Sequence, residues 1–389
     1  MFGGKKEKFL ALDITRGGAN GLYFSIDADR RIDIEKFEKG LNLVKFLKSP
    51  FRRAAHASLE GEYVFNGHRT LVAGASTDIA TTVPVPLSWR RDPERQALPV
   101  ALDELDDQIG RVFPKIASQC RVEAAKRFGI EAVDAVLVDA YAREFSVDGK
   151  HAAHLEGFIG KEIAFVMELT FLRRDVFEPF RAIFNSPDPF FFFESPQARL
   201  SVLGHARPLP LNLIDVRSGD GSLFVWQAEK YTKVPVLYRE PFHWSLEPAL
   251  KAIQDAYSVS AAAAEEMYRT YVRGEVSSSS ARAIGDLITP SLDTFGKMVA
   301  KAKVRGTTYL DMLYPLPWPP GHRERGTAIE SLLLDAILEA FGLSFVSRAG
   351  HEDLHLLFRH LAPFLVMYFD RDRGALNDAL RKRVHWLAG

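Results

Sequence analysis

The chain has 389 residues, of which 47% are hydrophobic and 26% charged; that is the composition of a soluble globular protein, and the length calls for two or more domains. Lys plus Arg and Asp plus Glu stand at 50 each, which excludes a global bias towards nucleic acid or an anionic surface. A single cysteine, Cys120, excludes an internal disulfide and fits a reducing compartment. No apolar run reaches the ~20 residues of a membrane-spanning helix, and Asp13 interrupts the first apolar run too early for a signal peptide, so a cytoplasmic location is expected.

Taken in chain order, Leu10–Asp13 is an apolar run closed by an aspartate. Thr15, Arg16, Gly17 and Gly18 make a turn, and Leu22–Ile26 is a return strand. Further hairpin signals follow at Tyr63–Gly67 and Arg69–Ala73. Pro84, Pro86, Pro93 and Pro99, interspersed with arginines, mark a boundary. The spacing predicts a helix over 101–128, with Cys120 on the buried stripe Leu105, Ile109, Val112, Ile116. Strands at 135–141 and 161–170 and a helix at 174–185 complete an α+β block. Phe190–Phe193 reads as a strand buried on both faces, and Ser195-Pro196 opens a helix.

The opening plan then repeats. Leu211–Asp215 is followed by Val216, Arg217, Ser218, Gly219, Asp220 and Gly221, then by Ser222 and Leu223–Trp226. Gly-bearing turns expose consecutive backbone N–H groups to an anion, and an aspartate beside them can hold Mg²⁺. Two buried hairpins with solvent-facing turns fit the same residues. Downstream the pattern is mainly helical: 246–257 capped by Ser245, 260–273, 280–303 after the polar run Ser277–Ser280, 327–342, 350–362 and 374–387. A strand at 306–313, the rigid Pro315–Pro320 loop and an apolar strand or helix at 361–369 interrupt it.

This order of elements resembles the actin-like ATPase superfamily, and within it FtsA, the bacterial cell-division family. The residues that carry the resemblance are Asp13–Gly18 as a first phosphate loop, Gly74-Ala75-Ser76 closing a subdomain, Tyr141–Gly149 with Leu155–Ile163 at the end of an inserted subdomain, and Asp215–Ser222 as a second phosphate loop. The inserted segment is less like PilM, the related pilus-assembly family. The resemblance implies an α/β, actin-like (ribonuclease H-like, duplicated) two-lobed fold with an inserted α+β subdomain. The implied boundaries are 1–88, 89–186, 187–207, 208–365 and a C-terminal helix at 366–389. It further implies ATP and Mg²⁺ as ligands, with Asp13 and Asp215 on the metal and Asp13, Thr15, Arg16, Gly17, Gly18, Asp215, Arg217, Ser218, Gly219, Asp220, Gly221 and Ser222 around the phosphates. The implied role is a cytoplasmic scaffold that tethers FtsZ-type filaments to the membrane and self-associates; a PilM-like adaptor for a membrane protein's cytoplasmic tail is the alternative.

Three departures weaken the nucleotide site. Thr15 stands where the family has glycine, Arg217 crowds a place of close backbone approach, and the proline-rich 313–320 loop replaces the adenosine Gly-Gly pair. Weak or lost nucleotide binding, and at most a slow ATPase, is therefore expected. At the C-terminus Leu376, Leu380, Val384 and Leu387 share a helical face, with Arg381 and Lys382 off it and Trp386 suited to an interface. That face fits a membrane contact, or a terminal helix packed on its own domain. A rival chemistry is a zinc hydrolase using His351, Glu352 and His355, an H-E-x-x-H match. No glutamate follows Glu352 to complete it, and His360 is misplaced as a third ligand.

Overall fold

The computed structural model describes residues 7–16, 18–41, 71–184, 190–216, 221–312, 315–318, 322–324, 327–330, 334–347, 354–369 and 374–388. β1 (Glu7–Thr15) and β2 (Gly18–Ile26), buried on both faces over much of their length, pair as an antiparallel hairpin, which β3 (Arg31–Leu41) extends. On the other side of β1 lie β4 (Leu71–Ala75) and then β9 (Phe190–Glu194), both parallel. With β16 (Ser344–Ser347) parallel to β3, the sheet order is β16-β3-β2-β1-β4-β9.

The second sheet repeats the plan. β10 (Leu211–Val216) and β11 (Gly221–Ala228) form a hairpin extended by β12 (Pro235–Phe242). β13 (Thr307–Met312) and β15 (Thr327–Glu330) follow in parallel on the far side of β10, and β14 (Arg323–Glu324) closes the edge. The order is β12-β11-β10-β13-β15-β14. In both sheets three antiparallel strands are continued by parallel strands added beside the first, so the chain has the α/β actin-like fold, duplicated. Between β4 and β9 runs an inserted α+β module: β5 (Ala80–Arg90), α1 (Leu102–Phe128), β6 (Ala135–Val147), β7 (Lys150–His151) and β8 (Glu162–Arg173), in the sheet order β5-β8-β6-β7.

Several expectations are corrected here. The boundary expected at residue 88 falls inside β5, which pairs with β8 from Ala80 to Arg90. Pro84 and Pro86 are tolerated because β5 is an edge strand. The buried stripe of α1 runs Leu105, Ile109, Phe113, Ala117, Cys120, while Val112 is exposed; a 3.6-residue period drifts from a strict i+4 or i+3 row. The helix expected at 327–342 is β15 followed by the short α7 (Leu334–Ala340), because the Thr327–Glu330 backbone pairs with β13.

The chain falls into two compact units: Met1–Ala206, Ala228–Val236 and Leu334–Gly389 in one, Arg207–Gln227 and Leu237–Leu333 in the other. The second half expected to run to 365 therefore ends at Leu333. Past it, β16 joins the first sheet and α8 (Leu354–Phe369) packs on that sheet, with Phe364 at 4.6 Å from Phe9 and 4.8 Å from Phe24, ring centre to ring centre. The span 361–369, open between strand and helix, is helical. Among the described residues the second unit has the helices α4 (Glu247–Tyr257), α5 (Ala261–Val272) and α6 (Ser278–Ala302). Ser260 and Ser277 cap α5 and α6, while Leu246, not Ser245, stands at the start of α4.

Candidate functional site

Asp13 closes the central strand of the first sheet and is 2% exposed. It lies in register with Asn20 on β2 and Gly74 on β4. In-register neighbours of a parallel pair project to one face, so Asp13 shares the face on which a Cβ at Gly74 would meet Pro363 Cγ at 2.8 Å and Ser195 Cβ at 3.3 Å. Gly74 is thus required by the approach of α8. His360, fully buried on α8, turns Nε2 to the Asn20 carbonyl at 3.3 Å and Nδ1 to the Leu356 carbonyl at 2.8 Å. The turn itself is tight, since Thr15 already pairs with Gly18, whose φ of +139° favours glycine. Thr15 Oγ1 donates to the Gly18 carbonyl at 3.2 Å. Arg16 is an exposed side chain 3.9 Å from Asp78, and Gly17 lies outside the described residues.

Asp215 closes the corresponding strand of the second sheet at 3% exposure. Its register neighbours are Ser222 on β11 and Asp311 on β13, the latter 4% exposed. The second sheet thus places two buried carboxylates side by side on adjacent parallel strands. Gly221, expected as a phosphate-approach position, begins β11. Its N–H donates to the Trp244 carbonyl at 3.2 Å, and a Cβ there would meet the Phe242 carbonyl oxygen at 3.0 Å; backbone packing requires this glycine. Ser222 is buried, and its Oγ accepts from Arg239 Nε at 3.2 Å. Arg217, Ser218, Gly219 and Asp220 lie outside the described residues.

The donor set can be weighed against ATP and Mg²⁺ on these facts. Paired carboxylates are what Mg²⁺ takes from a protein, the remaining ligands being water and phosphate. Asp215 and Asp311 fit that part. The described hairpin ends do not fit a phosphate cradle: the Gly221 N–H and the Thr15 hydroxyl both donate to the protein's own carbonyls, and Gly18 is paired within its strand ladder. Sequence reasoning missed Asp311. The signal was an aspartate in an otherwise apolar strand, Thr307–Met312, and it becomes informative only once β13 is known to lie beside β10.

The remaining candidates are placed as follows. α9 (Gly374–Ala388) buries Leu376, Leu380 and Val384 in the core of the inserted module, Leu380 and Val384 at 1% and 4% exposure. Asn377 spans the Ala142 backbone, accepting from its N–H at 2.7 Å and donating to its carbonyl at 3.0 Å. Arg381 lies over the Phe191 ring at 4.3 Å and Lys382 is exposed. The apolar face expected for a membrane is therefore occupied by the protein itself; the side chains of Trp386 and Leu387 lie outside the described set. No helix among the described residues is long and apolar enough to cross a membrane. His351, Glu352 and the His355 side chain also lie outside it, and among the described residues no group of three metal-ligating side chains gathers.

No family model and no curated protein matches the chain. Solved structures do. A PilM–PilN type IV pilus biogenesis complex shares 16% identity over 96% of this chain and 98% of that one, at a TM-score of 0.49. A Bacteroides thetaiotaomicron protein with an actin-like ATPase fold shares 7% identity over 93% and 96%, at 0.35. The cytoplasmic domain of EpsL, an inner membrane component of the type II secretion system of Vibrio cholerae, shares 10% over 86% and 94%, at 0.29. At TM-scores below 0.5 these likenesses carry no argument, and the fold stands on the strand order given above.

Proposed function

We propose that this protein is an actin-like scaffold that serves as an adaptor in a membrane-associated assembly and holds a partner protein, with nucleotide binding weak or lost. The observation that carries this reading is the inward commitment of the hairpin donors: Gly221 N–H to Trp244 and Thr15 Oγ1 to Gly18. A scaffold can keep the duplicated sheets while giving up the phosphate cradle between their roles. Of the two adaptor readings, capture of a membrane protein's cytoplasmic tail, as in PilM-like proteins, is favoured over FtsZ tethering through a C-terminal membrane helix, since Leu380 and Val384 are used for internal packing. The zinc-hydrolase reading has no described residue in its favour. A second, narrower reading draws on Asp215 and Asp311: a divalent cation held by the second sheet without nucleotide.

The test is a pull-down from detergent extract of the native host with the full chain as bait, beside purified FtsZ. Enrichment of an integral membrane protein, reproduced with its synthetic cytoplasmic tail, is expected. Enrichment of FtsZ without a membrane protein would replace this reading by the filament tether.

A further inference from the structure

α1 turns the stripe Leu105, Ile109, Phe113, Ala117, Cys120 and Ala124 into the core of the inserted module. Its opposite ridge follows at steps of three and four residues: Arg111, Lys115, Gln119, Val122 and Lys126, all exposed. From Gln108 to Val122 the sequence holds no Asp or Glu. Carboxylates at the two ends of that run are engaged with other cations. Glu104 accepts from Arg91 Nε and Nη2, each at 2.8 Å, Asp106 lies 2.7 Å from Arg383, and Glu123 lies 3.1 Å from Arg127. Asp103 and Asp107 are exposed, but they stand in the first two turns, ahead of the ridge. Among the described residues no ion pair takes Arg111, Lys115 or Lys126.

Two apolar side chains accompany these cations. Val122 on the ridge is 60% exposed, and Val112 on its flank 40%. Their spacing decides what the surface fits. A partner helix is held by apolar anchors at i, i+3, i+4 and i+7. Val112 and Val122 stand about three turns apart, and the ridge residues between them, Lys115 and Gln119, are polar, so an acidic helix would find no seam to follow. An anionic bilayer needs none. It is a continuous layer of negative charge that attracts each Lys or Arg singly. The aliphatic stems of Arg111, Lys115 and Lys126 and the two valines enter its headgroup region without a fixed register. The ridge from Arg111 to Lys126 is about 22 Å long at 1.5 Å per residue. It differs in this from α9, whose Leu376, Leu380 and Val384 are spent on the core.

We propose that the outer ridge of α1 is a peripheral membrane contact. The helix lies along a bilayer that carries anionic headgroups, with Arg111, Lys115 and Lys126 on the headgroups and Val112 and Val122 beside them. Three cations near such a surface amount to about a hundredfold preference over a neutral bilayer. The contact is reversible and sensitive to salt. The inference stands on the ridge itself and holds whichever protein the adaptor binds.

The full chain is mixed with vesicles of phosphatidylcholine, alone or with about 30% phosphatidylserine, and the bound fraction is read by cosedimentation at low and high ionic strength. At low salt, partitioning to the anionic vesicles is expected to exceed that to neutral ones by at least about tenfold, and to fall as salt screens the charges. The triple variant Arg111→Glu, Lys115→Glu, Lys126→Glu, checked for native circular dichroism, should lose this preference. Lys251→Glu, Lys297→Glu, Lys301→Glu makes the same change of charge on α4 and α6 and should keep most of it, since the contact depends on where the charges lie and not on their sum. No partitioning to anionic vesicles overturns the proposal, as does equal partitioning to both kinds. So does a ridge variant that binds like the wild type, or an equal loss in both triple variants. A soluble poly-glutamate peptide is the last arm. If it binds the wild type but not the ridge variant while anionic vesicles bind neither, the ridge is the seat of an acidic polypeptide and the membrane contact is wrong.

Discussion

In the first unit the aspartate that ends the central strand, Asp13, stands beside Gly74 on the neighbouring parallel strand; in the second, Asp215 stands beside Asp311. In both sheets the hairpin, its third antiparallel strand and two parallel strands follow the same order, and the aspartate has the same offset to its hairpin partner, Asn20 or Ser222. The glycine lets α8 descend onto the first sheet until Pro363 touches β4, so that face is closed by packing. The aspartate gives the second sheet a second buried carboxylate at that position. A duplicated topology therefore does not carry duplicated residues: at one register position the first sheet has a glycine packed under a helix and the second has an aspartate.

The largest expected effect tests the packing side of the comparison. Phe364→Ala removes a fully buried ring from between Phe9 and Phe24 and should cost about 3–5 kcal/mol in chemical denaturation. Amide exchange should quicken in β1, β2 and β4 and stay unchanged in β10 and β13. A loss below about 1 kcal/mol would mean that α8 is dispensable to the first sheet. Next in size is Gly74→Ala, which sets a methyl group against Pro363 and should cost about 1–3 kcal/mol. The reciprocal change in the second sheet, Asp311→Ala, sets no added group against a helix and should cost less than Gly74→Ala. A cost equal to that of Gly74→Ala would remove the distinction between the two faces. Mg²⁺ should raise the melting temperature of the wild-type chain and not that of Asp311→Asn or Asp215→Asn.

Much of this frame was legible in the sequence. The two hairpins were marked by apolar runs ending in aspartate and followed by glycine, and α1, β6 and β8 by local periodicity. The return of the chain to the first sheet after Leu333 was not, although the helix expected at 374–387 is α9. β15 is four residues long and β16 is paired at long range with β3, so neither has a local pattern, and α8 buries Arg359 and His360 together with its apolar residues, which blurs the amphipathic signal. Gly221 looked like a phosphate contact because a glycine needed for backbone packing and one needed for ligand approach are the same letter. Asp311 was invisible for the complementary reason, since its meaning comes from a strand nearly a hundred residues earlier.

A smaller effect concerns pH. Glu168, on β8 of the inserted module, is buried, and burial pushes its carboxyl pKa up against the opposing pull of Arg143, with Glu144 adding to the rise. A carboxyl held above its unfolded value contributes stability that is fully present below the unfolded pKa of about 4.3 and is lost as pH rises through the folded pKa. Glu168→Gln should therefore flatten the stability profile above that value; an unchanged slope would show that Glu168 does not titrate within it. The smallest effect is on Cys120, buried in the α1 stripe, whose thiol is pushed up to about 11 by burial. Iodoacetamide should modify it at least about tenfold more slowly in the native chain than in the unfolded one, and equal rates would show that α1 opens freely from the module.

The central claim of the proposal is that the duplicated actin-like fold has been kept while nucleotide binding at its two hairpins is weak or lost. The direct measurement is a titration of the purified chain with a fluorescent ATP analogue and Mg²⁺, beside Asp13→Ala and Asp215→Ala. The account predicts no saturable binding in the micromolar range, with all three proteins alike. Micromolar binding by the wild type, lost in both variants, would contradict it and restore a working nucleotide site.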